Sequence, residues 1–150
     1  MKIKLYSKVP GRWEEVYEHF NKDLFLYLLP PGARLIRFDG SAKDDIVHIQ
    51  FPMAAEWISH IVKTGQEQGH AWFVDTGVKL PFGLTDWEHK HHVYEEDQES
   101  SRIVDEMEFS TGNRLKDTII YPFLLLAFLP RVWQYKKYFN RLFSKDHAVS

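Results

Sequence analysis

A chain of 150 residues with 44% apolar and 27% charged side chains is long enough to bury a core of its own and too apolar to stay disordered. Its formal net charge of −2 argues against binding a phosphate backbone, so no nucleic-acid partner is expected. The absence of cysteine excludes disulfide frameworks, thiol nucleophiles and Cys-based zinc sites, while an aromatic content of 15% implies a bulky core or a wide apolar surface that holds something.

No repeat or Gly/Ser linker divides the chain, and residues 1–150 read as one domain. Residues 2–9 alternate, with Ile3, Leu5, Ser7 and Val9 on one side, which predicts a half-buried strand closed by Pro10-Gly11. From Arg12 to Leu29, Trp13, Val16, Tyr17, Phe20, Leu24, Phe25 and Leu28 fall at helical spacing, and Asn21 divides the segment into two short helices. Pro30-Pro31-Gly32 stops them. Strands are then predicted over 33–38, 45–51, 55–64, 70–76, 85–96 and 101–110, the last two forming a hairpin about Asp97–Ser100. After Gly112 a long helical region runs from about Asn113 to Phe143. Leu115, Ile119, Leu126, Leu129, Trp133, Tyr138 and Leu142 are its expected buried stripe, and Pro122 and Pro130 bend or divide it. The opening MKIKLYSKV alternates like a strand and carries no apolar signal core. The longest apolar run, Ile119–Leu129, spans about half of the roughly 20 residues a membrane helix requires. A cytoplasmic protein without integral membrane association is expected.

The element order predicts an α+β fold: a curved antiparallel sheet of six to seven strands wrapped around a long C-terminal helix, with two short helices after the first strand. Between sheet and helix lies a space whose filling decides the function.

This order resembles the helix-grip fold shared by START, Bet v 1 and polyketide-cyclase proteins, the SRPBCC superfamily. Trp57-Ile58, Phe73-Val74-Asp75, Pro81-Phe82, Trp87-Glu88-His89-Lys90-His91 and Asp105-Glu106-Met107-Glu108-Phe109 are similar to the motifs of its bacterial cell-division-inhibitor-like branch, over residues 54–143. The resemblance implies a cavity for apolar or amphipathic small molecules, usually without catalysis; a lipid-like or aromatic ligand and no cofactor are expected.

The densest cluster of chemistry-bearing residues is Trp87, His89 and His91 on one strand with Asp105 on the next. Alternation places all three on one side of their strand, and Ile103, Asp105, Met107 and Phe109 on one side of the other. A hairpin turning about Gln98 sets His91 opposite Asp105 and Val93 opposite Ile103. An inward aspartate is costly unless paired, and His91 or His89 is its expected partner. Trp57, Trp72, Phe82, Trp87, His89, His91, Asp105, Met107, Phe109, Leu126 and Trp133 are the candidate ligand-binding residues. The loop Thr76–Asp86, with Leu80, Phe82 and Leu84, reads as a lid or as packing on the helix. Three uses of the polar spot stand open: orienting a ligand, a structural ion pair, or a cyclase- or dehydratase-type reaction with His91 as base and Asp105 as its orienter. His-x-His can bring two imidazoles to one ion, yet no third ligand has clear spacing, so no metal is expected.

Seven acids lie between Glu95 and Glu108 and seven bases between Arg114 and Lys145. They are either two solvated faces or the docking surface of a protein-interaction module with a filled core.

Overall fold

The computed structural model describes residues 1–147. Strand β1 (Lys2–Pro10) leads into helices α1 (Trp13–Glu18) and α2 (Lys22–Leu28). Strands β2 (Arg34–Phe38), β3 (Ile46–Gln50), β4 (Glu56–Glu67), β5 (His70–Lys79), β6 (Asp86–Glu95) and β7 (Ser100–Ser110) follow in succession, with one 3-10 turn at Pro52–Ala54 before β4. Helices α3 (Arg114–Phe128) and α4 (Arg131–His147) complete the described residues. The seven strands form one antiparallel sheet in the order β1-β7-β6-β5-β4-β3-β2, the helix-grip architecture expected from the element order.

Asn21 splits the first helical segment because its side chain accepts the Leu24 N–H, a cap that starts α2 afresh. Asn113 caps α3 in the same way, accepting from Leu115 and Lys116. Pro122 lies within α3, whereas Pro130 separates α3 from α4 although Leu129 keeps helical dihedrals. Register shifts between β4 and β5, at Ile58/Ser59 and Ile61/Lys63, and one between β2 and β3 bend the sheet.

The expected helical stripe is out of phase in part. Leu115, Ile119, Leu126 and Trp133 are exposed, whereas Leu124, Tyr135 and Phe139 are buried. Ile119–Leu129 is apolar nearly all round, so its pattern does not fix which side faces the sheet, and the break at Pro130 resets the rotation of α4. The acidic strand is matched by β1 rather than by the C-terminal bases: Lys2 pairs with Glu108 and Lys4 with Glu106 on the outer face. Both pairs are half-exposed and contribute little.

The interior has two apolar cores. One gathers Val9, Trp13, Val16, Leu24, Val93, Ile103, Tyr135 and Phe139; the other gathers Ile3, Trp57, Leu84, Trp87, Met107, Phe109 and Leu124. Polar residues occupy the sheet between them. In one cross-strand row Asp75, His89, Met107 and Ile3 stand side by side; in the next, Phe73, His91, Asp105 and Leu5. Ala71, Val93 and Ile103 continue the apolar surface beyond.

Candidate functional site

Alternation along β6 turns Trp87, His89, His91 and Val93 inward, and all four are buried. On β7 the register is the one the loop length gives, with His91 opposite Asp105 and Val93 opposite Ile103. The hydrogen bonds run diagonally across that register. His89 Nε2–H donates to Asp105 Oδ1 at 2.9 Å, and His91 Nε2–H donates to Asp75 Oδ2 at 2.9 Å. His91 Nδ1 also lies 3.3 Å from Asp105 Oδ1, but off the line a hydrogen bond requires, and counts as unpartnered. The two imidazoles lie face to face, centroids 3.6 Å apart at 34°, and His91 stacks on Phe73 at 4.1 Å.

Four ionisable groups with so little water must settle their charges among themselves. Burial pushes both carboxyls up, but the imidazoles outweigh it, and Asp75 and Asp105 are held below the ordinary carboxylate range; Arg131 acts on Asp75 in the same direction. His89 is lowered to about 4, by burial first and then by the charge of His91. Burial lowers His91 as well, but Asp105 and Asp75 together raise it. The cluster therefore sets two carboxylates beside a neutral His89 and a His91 whose protonated form they favour, with the Arg131 guanidinium acting on Asp75. Tyr135, fully buried near Asp105, has its phenol pushed well above its usual pKa by burial and by that charge. Among the described residues its hydroxyl has no hydrogen-bond partner.

Two neighbouring lobes of free space open onto this cluster, of about 130 Å³ and about 50 Å³. Phe25, Leu28, Ser59, Asp75, His91 and Arg131 wall both. The larger is also bounded by Trp57, Trp87, His89 and Phe128, and Trp57 meets Trp87 edge to face at 4.7 Å. Phe82 stands at its rim, 62% exposed, with φ of 61° and its ring 6.2 Å from Phe51. β5 continues to Lys79, so the connection to β6 is shorter than the predicted loop, and Leu84 in it is buried.

Of the candidate ligand-binding residues, Trp57, Phe82, Trp87, His89 and His91 line the larger lobe. Asp105 lies behind the histidines, and Met107 and Phe109 are packed in the core beside it. Leu126 and Trp133 do not reach the cavity; they are 67% and 61% exposed, a consequence of the helix phase. Trp72 is on the outer face, stacked on His70 at 4.7 Å, with its indole lying over Gly65 of β4. A Cβ at Gly65 would collide with that ring. Gly65→Ala is therefore expected to cost about 1–3 kcal/mol in urea denaturation through overpacking, with the cavity's ligand affinity unchanged.

Asp75, Arg131, Tyr135 and Ser59 were not among the candidates. Asp75 was within reach, because it has the parity of Ala71 and Phe73 on one strand. Arg131 and Tyr135 required the phase of α4, which follows a helix break. Asp75 also changes what the site can hold. One donor atom each from Asp75, His89 and His91 lies within 4.8 Å of the other two, and Asp75 is the third ligand that sequence spacing did not reveal.

No family model matches the sequence, and no curated protein does. Solved structures do match. Zhui aromatase/cyclase from Streptomyces sp. R1128 superposes with a TM-score of 0.72 at 9% identity, over 94% of each chain. A point mutant of norcoclaurine synthase from Thalictrum flavum, in complex with a transition-state analogue, gives 0.67 at 17% identity over 88% of this chain and 91% of its own. XoxI from Bacillus cereus gives 0.67 at 15% identity over 94% and 96%. The fold is that of the Bet v 1-like SRPBCC proteins. At these identities the likeness speaks for the fold alone, and it does not show the cell-division-inhibitor-like branch. Among the described residues no helix is long and apolar enough to cross a membrane.

Proposed function

We propose that the protein binds a small aromatic molecule, about one substituted ring in size, in the cavity between the curved sheet and α3–α4, with its polar substituent turned toward Arg131, His91 and Asp75. The observation that carries this reading is an apolar space with a buried charged cluster at its base. The ring would lie among Trp57, Trp87, Phe25 and Phe128. A cavity of about 150 Å³ accepts benzene, and the larger lobe of about 130 Å³ is of that order, so the space suits a single ring. Ligand sites generally combine such apolar walls with a few convergent polar groups. The solved neighbours include proteins described as an aromatase/cyclase and as a synthase, which agrees with an aromatic occupant.

Arg131 is the half-buried cation shared by both lobes, its guanidinium 4.7 Å from the Phe128 ring centroid. Ligand-observed NMR with benzoate, phenol and indole tests the reading. Saturable binding of benzoate is expected, weakened at least tenfold by Arg131→Met, with indole affected less. If none of the three binds saturably at millimolar concentration to folded protein, the reading fails. A cyclase- or dehydratase-type role would need substrate at His91 Nε2, a position that Asp75 holds in this arrangement.

A further inference from the structure

We infer that Asp75, His89 and His91 form a binding site for one divalent transition-metal ion, zinc or iron(II), with Asp105 as the outer carboxylate that orients the two imidazoles. This goes beyond the ring-binding proposal and does not depend on it. Two imidazoles and one carboxylate on a single face, leaving further coordination positions open, are a donor set that suits both ions.

The orientation of each ring supports the assignment. His89 gives its Nε2 proton to Asp105, so its Nδ1 carries a lone pair, and that nitrogen lies 3.9 Å from Asp75 Oδ2. An acceptor thus faces an acceptor in the interior, and a cation between them resolves the conflict. His91 presents Nε2 to the same carboxylate oxygen at 2.9 Å while its Nδ1 is turned to Asp105 at 3.3 Å. Each imidazole therefore directs one nitrogen toward Asp75 and the other toward Asp105. Metal-bound histidines characteristically give their second N–H to a carboxylate, as His89 does to Asp105 here. With bonds of about 2.0–2.1 Å, tetrahedral donor atoms sit roughly 3.3 Å apart; the two spacings to Asp75, 2.9 and 3.9 Å, need adjustments of about half an ångström, and the two imidazole donors lie within 4.8 Å of each other. Binding the ion would release the Nε2 proton of His91, which now points at Asp75, to solvent. All three ligands come from adjacent strands and border the larger lobe, which leaves the remaining positions open to a water or a ligand.

Cobalt(II) is a spectroscopic probe for such a site. Titration of metal-free protein is expected to give visible d–d absorption saturating at one equivalent and displaced by zinc(II). Asp75→Asn and His89→Gln should abolish the band, and Asp105→Asn should weaken affinity about 10–100-fold. The outer face offers a rival, since His70 Nε2 and His92 Nδ1 are 2.9 Å apart with Glu67 beside them. His92→Gln should therefore leave the band intact. A band lost in His92→Gln and kept in Asp75→Asn overturns the proposal, as does folded wild-type protein that takes up neither ion. Should the inner variants fail to fold, NMR of the wild type decides: cobalt(II) must broaden the His89 and His91 ring resonances ahead of those of His70 and His92, and the reverse order refutes the site. Because no organic ligand is present, this result stands apart from benzoate binding.

Discussion

Asp105→Ala is expected to be the most destabilising single change in the molecule outside the apolar cores. Its carboxylate is 2% exposed and holds the Nε2–H of His89, while its charge supports the imidazolium of His91 and faces the Tyr135 hydroxyl. Removing one partner of a buried pair costs about 3–5 kcal/mol, because the other group keeps its desolvation penalty and loses its compensation. For a chain of this size, roughly 2–4 °C per kcal/mol places the fall in melting temperature near 10 °C. Asp105→Asn should lose less, since the amide oxygen still accepts from His89 and only the charge is missing. Urea denaturation of both variants beside the wild type measures the difference. A loss below about 1 kcal/mol for the alanine variant would mean that the cluster is not held as an ionic pair.

That expectation rests on residues whose placement was largely legible. Period-two alternation put His89, His91 and Asp105 on one side, and the length of the β6–β7 loop set their register correctly. Which oxygen each imidazole chooses was not legible. Side chains two residues apart on one strand lean along it, and the diagonal bonds to Asp75 and Asp105 depend on the sheet's twist and on the β4–β5 bulges. Asp75 was hidden differently. It shares the parity of Ala71 and Phe73, but the unbroken apolar run Ala71–Val74 before it does not mark which parity faces inward. Helix phase was the least legible feature, because a uniformly apolar segment has no polar side to mark which face is outward. Trp133 and Leu126 illustrate the cost: both sit on the helices that close the cavity, yet both point away from it.

The cavity gives the second large effect. Ser59, buried on β4, borders both lobes and is the smallest side chain that reaches them from the sheet beside Asp75. Ser59→Phe places a ring where the proposed ligand ring would sit, and 130 Å³ cannot hold two. Filling a void gains dispersion contacts while misfit costs about 1–3 kcal/mol, so stability should change little in net. Affinity for benzoate, by contrast, should fall more than tenfold. The measurement pairs a thermal melt with ligand-observed NMR on the same sample, which separates a blocked cavity from an unfolded one. Benzoate binding that survives Ser59→Phe in folded protein would put the ligand on the surface and remove the cavity from the account. Loss of binding with an unchanged melt would instead fix the space between the sheet and α3–α4 as the place where this protein meets its ligand.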